Sequence, residues 1–121
     1  YMKKKTIVLG ASTNPERYSN LAVNLLESYK HPIIAFGIKQ GIIGNTSIST
    51  IFPEIQDTDT ITMYLGPKNQ ESYLSKIVAL QPKRVIFNPG TENPSFYKHL
   101  EEAGIEVLEA CTLVLLRTGQ Y

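Results

Sequence analysis

The residues best equipped for chemistry lie in four short polar stretches, each following an apolar run. The first is Gly10-Ala11-Ser12-Thr13-Asn14-Pro15-Glu16-Arg17-Tyr18-Ser19-Asn20. Gly10 permits a tight turn and a close approach of backbone to a ligand. Ser12, Thr13 and Ser19 offer hydroxyl donors to anionic oxygens, and Arg17 offers a planar fork that matches a phosphate. A helix starting at Ser19 or Asn20 would aim free N–H groups and a partial positive charge at the same place. The plain alternative is that Gly10 and Pro15 shape a strand–helix turn while Ser19 caps the helix. That alternative is easier to hold for each residue singly than for the cluster.

The second stretch is Gly37-Ile38-Lys39. An NAD-binding domain carries Asp or Glu at this distance to accept the ribose 2′-hydroxyl. A lysine here suits an adenosine ribose that itself carries a phosphate, as in NADP or coenzyme A; otherwise it is a solvated surface lysine. No second glycine follows Gly10 before the helix, so the dinucleotide fingerprint G-x-G-x-x-G is missing. A chain of 121 residues also leaves no room for the substrate domain a nicotinamide enzyme needs. Coenzyme A, free or acylated, is the better candidate. The remaining stretches are Tyr64-Leu65-Gly66-Pro67 and Asn88-Pro89-Gly90-Thr91-Glu92.

The elements that must position these stretches follow from hydrophobic spacing. Thr6-Ile7-Val8-Leu9 reads as a strand buried on both faces, as do the runs over 32–37, 60–65, 84–87 and 105–108. Ala22, Leu25, Leu26 and Tyr29 recur at helical spacing after the first loop, and Tyr73, Leu74, Ile77 and Val78 do so after Pro67. Asn93-Pro94 starts a helix with Phe96, Tyr97, Leu100 and Ala103 on its face, stopped by Gly104. Residues 113–116 lean towards a C-terminal helix. Residues 38–59 admit several readings: turns at Gly41 and Gly44, a short strand over 46–48, and either a weak helix or a packed loop around Ile51, Phe52 and Ile55. Alternation of strand and helix demands crossovers, hence an α/β, three-layer, doubly wound, mostly parallel sheet of the Rossmann-like kind. In such a sheet ligands bind at the carboxyl ends of the strands, where all four stretches fall.

Composition narrows the rest. One domain over residues 1–121 is expected, with Tyr1 an addition ahead of a native Met2. Twelve basic and 11 acidic residues give a net charge of +1, which provides no footprint for nucleic acid or an anionic membrane. The one cysteine, Cys111, cannot form an internal disulfide, which suits a reduced, cytoplasmic setting. It is either a packing residue or a thiol facing the ligand. His31 and His99 read as packing or surface residues, Glu101 and Glu102 as a solvated face, and no metal site is expected.

The same residues resemble the small bacterial CoA-binding domain proteins. The likeness rests on Gly10-Ala11-Ser12 with Asn14-Pro15, Arg17 and Ser19-Asn20, on Gly37-x-Lys39, on Asn88-Pro89-Gly90-Thr91-Glu92, and on Glu109-Ala110-Cys111-Thr112. It runs over nearly the whole chain and extends to the CoA-binding domain of succinyl-CoA ligase alpha subunits. It implies that residues 10–20 surround the pyrophosphate and that Lys39 meets the 3′-phosphate. It also implies that Tyr64, Leu65, Gly66, Asn88, Pro89, Gly90 and Thr91 line the adenine and pantetheine side. The ligase's phosphorylated histidine lies in a further domain absent here, and neither histidine replaces it. Non-catalytic binding is therefore expected, with an acyl-CoA enzyme as a possible partner. The alternatives are a small NADP- or other nucleotide-dependent enzyme and a regulatory module that has lost its ligand.

Overall fold

A computed structural model describes residues 3–121; Tyr1 and Met2, the expected addition and native start, lie outside the described residues. Seven strands form one sheet: β1 (Thr6–Leu9), β2 (Ile33–Phe36), β3 (Gly41–Ile43), β4 (Thr46–Ser49), β5 (Thr60–Met63), β6 (Arg84–Phe87) and β7 (Glu106–Glu109). Their order is β3-β4-β2-β1-β5-β6-β7. Every pairing is parallel except β3 with β4. Thr6 stands level with Ile33 on one side and Thr60 on the other, so the strands end along a common carboxyl edge. From β1 the chain moves outward through β2 to β4, then returns to place β5 on the opposite flank of β1. The strand order therefore reverses between β1 and β5, the point at which open sheets of this kind take their ligands.

Three strands, β1, β5 and β6, are buried throughout, and β2 is buried over its second half, because helices cover both faces. Alternation sends Ile7, Leu9, Ile61, Met63, Val85 and Phe87 to one core. There they meet Ile77 of helix α3 (Leu74–Leu80) and Phe96 and Leu100 of helix α4 (Pro94–Glu102). Val8, Ala35, Ile48 and Ile86 face the other core with Val23 and Leu26 of helix α1 (Tyr18–Ser28) and Leu116 of helix α5 (Thr112–Arg117). Leu26 is fully buried, and truncating such a side chain to Ala costs about 2–5 kcal/mol. No helix among the described residues is long and apolar enough to cross a membrane.

Several expected boundaries move. Residues 38–59 hold the β3–β4 hairpin, with Gly44 in the left-handed region at its turn, and the Ile51–Ile55 region is a packed loop. Glu27 of α1 pins the hairpin by accepting from the Asn45 N–H at 3.0 Å and from the Thr46 hydroxyl. Phe52 anchors the loop by stacking on Tyr73 at 5.4 Å. Helix α1 starts at Tyr18 with Arg17 in the cap position, and Ser19 is a buried residue of the first turn rather than the cap. The helix after Pro67 is interrupted: α2 (Pro67–Gln70) passes through a 3-10 turn (Glu71–Tyr73) into α3. Asn93 holds the cap position of α4, yet its side chain bonds Gln70 and Ser95 instead of the helix amides. The last strand is shifted one residue, to Glu106–Glu109.

Candidate functional site

The loop after β1 lies close against the ends of β2 and β5 because two glycines leave room for it. Gly10 has φ +96°, and a Cβ there would stand 3.0 Å from the Tyr64 carbonyl carbon and 3.1 Å from the Leu65 nitrogen. A Cβ on Gly37 would lie 2.4 Å from the Ala11 carbonyl oxygen, inside any contact real side chains show. Backbone bonds fix this approach: Gly10 and Ala11 both donate to the Phe36 carbonyl at 2.9 Å, and Tyr64 donates to the Leu9 carbonyl at 2.8 Å. The end of β1 is thus wedged between the ends of β2 and β5.

Beyond Ala11 the loop is folded by its own polar groups. The Asn14 N–H donates to the Ser12 hydroxyl at 3.1 Å, the Glu16 N–H to the Asn14 side-chain carbonyl at 3.0 Å, and the Asn20 amide to the Ser12 carbonyl at 2.9 Å. The Ser12 hydroxyl accepts in this arrangement and keeps its own proton for another acceptor. Thr13, Pro15 and Arg17 are exposed; Ser19 and Asn20 are buried, and Asn20 serves as the loop's fastening. The Asn20 and Leu21 amides are spent on the Arg17 carbonyl, which leaves those of Tyr18 and Ser19 as the open donors at the start of α1. Lys39 stands exposed two residues past Gly37, and neither Lys39 nor Arg17 has a side-chain hydrogen bond or ion pair among the described residues. Arg17 within the loop and Lys39 beyond β2 are thus two cations without a partner near open N–H and O–H donors, groups of the kind that can receive anionic oxygens.

The β5 and β6 ends form the other flank. Tyr64 and Leu65 are half-buried, and Gly66, Pro89 and Gly90 are exposed. Asn88 is 2% exposed and fully engaged. Its amide donates to the Thr62 hydroxyl at 2.8 Å and the Met63 carbonyl at 2.9 Å, and its carbonyl accepts the Thr112 N–H at 2.8 Å. Thr91 is buried as well, its hydroxyl donating to the Asn88 main-chain carbonyl at 2.7 Å. The structure thus gives Asn88 and Thr91 the task of shaping the edge, and leaves Pro89 and Gly90 on its surface. Cys111, half-buried, precedes Thr112 at the start of α5. Burial pushes the Tyr64 hydroxyl up to about 12 against the pull of the Thr62 and Thr112 hydroxyls, so the phenol is neutral at ordinary pH.

Sequence reasoning passed over Gln70. Its side chain is fully buried and bonds groups from both the β5 and β6 end loops. A lone glutamine on a short helix after Pro67 carries no periodic or motif signal that would separate it from a solvated residue. The histidines lie elsewhere: His99 is exposed on α4, and His31 is buried ahead of β2, where Nδ1 accepts the Lys4 N–H at 3.0 Å. Burial, then the charges of Lys3, Lys4 and Arg84, hold the His31 imidazole below its usual range. No cluster of three or more metal-binding side chains occurs among the described residues.

Residues 4–117 match the family model described as a CoA binding domain. The chain belongs to that family. A solved structure titled only as an uncharacterized protein is similar to this CoA-binding domain protein at 44% identity, covering all of both chains, with a TM-score of 0.96. A conserved hypothetical protein from Pyrococcus furiosus is 26% identical over 92% of this chain and 97% of its own, with a TM-score of 0.78. The cell-free ID.343 protein from Thermus thermophilus is 22% identical over 98% and 91% of the two chains, with a TM-score of 0.83, a likeness of fold. No curated protein matches the chain. The Rossmann-like α/β sheet expected from strand–helix alternation is the fold observed, and the family is the one that the motifs at residues 10–20, 37–39, 88–92 and 109–112 resemble.

Proposed function

We propose that this CoA-binding domain protein holds coenzyme A, or an acyl-CoA, at the carboxyl edge of its sheet without transforming it, in a cytoplasmic setting. In this reading the pyrophosphate lies on the β1 loop, against the Ser12 hydroxyl, the open amides of Tyr18 and Ser19, and Arg17. The adenosine lies over the β2 end, where Lys39 meets the 3′-phosphate. Pantetheine crosses the β1–β5 reversal point towards Leu65, Gly66, Pro89 and Gly90. The carrying observation is the unpaired Lys39 ammonium just past Gly37, whose bare backbone touches the β1 loop. A cation at this position, where NAD binders carry a carboxylate, supports the reading. A carrier or sensor role beside an acyl-CoA enzyme follows, since the site offers donors and cations rather than a nucleophile with its base.

Calorimetric titration with CoA, dephospho-CoA, NADP and NAD tests the reading. CoA binds, and NAD binds at least about tenfold more weakly. Losing a charge-assisted hydrogen bond costs about 1.5–3 kcal/mol, roughly 10- to 100-fold in affinity. Lys39→Ala lowers CoA affinity by the lower end of that factor, because the site is exposed, and leaves dephospho-CoA unchanged. Arg17→Ala weakens both ligands alike, since both retain the pyrophosphate. NAD or NADP binding as tightly as CoA, or equal losses for the two ligands in Lys39→Ala, refutes the assignment. Multiple turnover of acetyl-CoA or succinyl-CoA, with or without ATP, refutes the non-catalytic part.

A further inference from the structure

Gln70 closes α2 with a side chain that is fully buried although it belongs to a polar, otherwise exposed turn. Its amide nitrogen donates to the Leu65 carbonyl at 2.9 Å and to the Thr91 carbonyl at 2.8 Å. Its carbonyl oxygen accepts the Asn93 amide at 3.1 Å, and the Asn93 carbonyl in turn accepts the Ser95 hydroxyl at 3.0 Å. One carboxamide thereby ties the loop leaving β5 to the loop leaving β6. These two loops have no direct backbone hydrogen bond to each other among the described residues. Beneath them Asn88 fixes the strand ends, but its bonds reach Thr62, Met63 and Thr112 and none reaches residues 65–66.

We propose that Gln70 is a positioning residue for the pantetheine half of the ligand, holding the Leu65-Gly66 and Pro89-Gly90 walls at a set separation. The proposal rests on the CoA reading above. The chemistry is particular to glutamine at this length. Glutamate has no N–H to give two carbonyls and sets a carboxylate against them, whereas methionine fills the space and bonds none of the three groups. Either change leaves buried carbonyls unsatisfied, and the loops part to let water reach them. Residues of the β1 loop and Lys39 make no bond with Gln70, so the adenosine side is untouched.

Two ligands separate positioning from general damage. Adenosine 3′,5′-bisphosphate reaches the Lys39 side and the β1 loop but has no pantetheine; CoA has both halves. Affinities are measured by calorimetry for the wild type, Gln70→Glu, Gln70→Met, and Leu116→Ala as a destabilised control in the opposite core. Expected for both Gln70 variants is a loss of about tenfold for CoA, the scale of one or two lost bonds, with adenosine 3′,5′-bisphosphate held within about twofold. Leu116→Ala leaves the ratio of the two affinities unchanged. In the wild type, CoA slows amide exchange at Gly66 and at Gly90 and Thr91 together, a measurement that needs no variant to fold. Equal losses for both ligands, no loss for CoA, or protection of one loop without the other overturns the positioning role. Absence of CoA binding by the wild type instead overturns the function it rests on.

Discussion

Replacing Gly37 by alanine adds a single methyl group at the most crowded point of the carboxyl edge. The new Cβ would lie 2.4 Å from the Ala11 carbonyl oxygen, 3.0 Å from an Ile48 methyl and 3.3 Å from the Ala11 carbonyl carbon. Real Cβ atoms do not approach within 3.0 Å, so the Ala11 peptide must retreat by about 0.6 Å at the least. That peptide is not free to move: Gly10 and Ala11 share the Phe36 carbonyl, and Ala11 is buried. Forcing one carbon into packed backbone costs about 1–3 kcal/mol. Gly10→Ala combines a contact of 3.0 Å with φ +96° and adds about 1–2 kcal/mol of left-handed strain. Gly66→Ala meets nothing within 4 Å, and its φ of −64° suits any residue, so it stays within about 0.5 kcal/mol of wild type. Urea unfolding gives the three stabilities, and calorimetry on the folded variants gives CoA affinity. On the proposed placement of the pyrophosphate against this loop, Gly37→Ala also weakens CoA about tenfold. A Gly37→Ala protein as stable as Gly66→Ala refutes the close-approach argument. One that is destabilised yet binds CoA as the wild type does refutes the placement of the pyrophosphate.

Asn88→Ala orphans the buried Thr112 N–H and Met63 carbonyl and lowers unfolding free energy by about 2–4 kcal/mol in urea, whereas an exposed residue such as Lys68 tolerates the same change. His31 has a folded-state pKa below its ordinary 6.5, so the unfolded chain takes up the proton first. Its contribution is present above pH 6.5 and is lost as pH falls from there towards the folded value; His31→Gln flattens that segment of the stability–pH curve, and an unchanged slope rejects the assignment. Tyr97, which donates to Glu109 at 2.7 Å, is pushed up to about 12 by burial and then by that carboxylate. Its share of stability is present below pH 10 and is lost as pH rises towards 12, and Tyr97→Phe shrinks the late step of an ultraviolet tyrosinate titration to what Tyr64 and Tyr121 leave.

Legibility in the sequence divided along a physical line. The aliphatic runs at Ile7-Val8-Leu9 and Val85-Ile86-Phe87 could only be strands buried on two faces, and their alternation with helices left one class of sheet. Of the hairpin at residues 41–49, the turn at Gly44 and a strand over 46–48 were among the readings, but β3 was not, because a three-residue strand has no period to count. Its turn is fixed from outside by Glu27, some 18 residues earlier in the chain. At the site, Gly10, Gly37, Arg17 and Lys39 stood out, since glycine and unpaired cations at strand ends announce themselves by residue type. Asn88 and Thr91 stood out by type as well, but the fold turns them inward, and Gln70 went unseen. What a carboxamide does depends on which carbonyls converge on it, and convergence is a property of the folded chain.

This division separates two kinds of work at the carboxyl edge. On the β1 side Gly10 and Gly37 bring backbone into contact and Asn20 fastens the loop, which leaves Arg17 and Lys39 facing solvent. The β5–β6 side is held by side chains, with Asn88 and Gln70 using every polar atom they own on neighbouring carbonyls, hydroxyls and amides. A flank whose amides are consumed internally offers a ligand shape and apolar surface rather than charge. A flank with open amides, a spare hydroxyl and two unpaired cations offers little else but charge. A ligand suited to both must be strongly anionic at one end and long, thin and weakly polar at the other, and coenzyme A has that division between its phosphorylated nucleotide and its pantetheine arm.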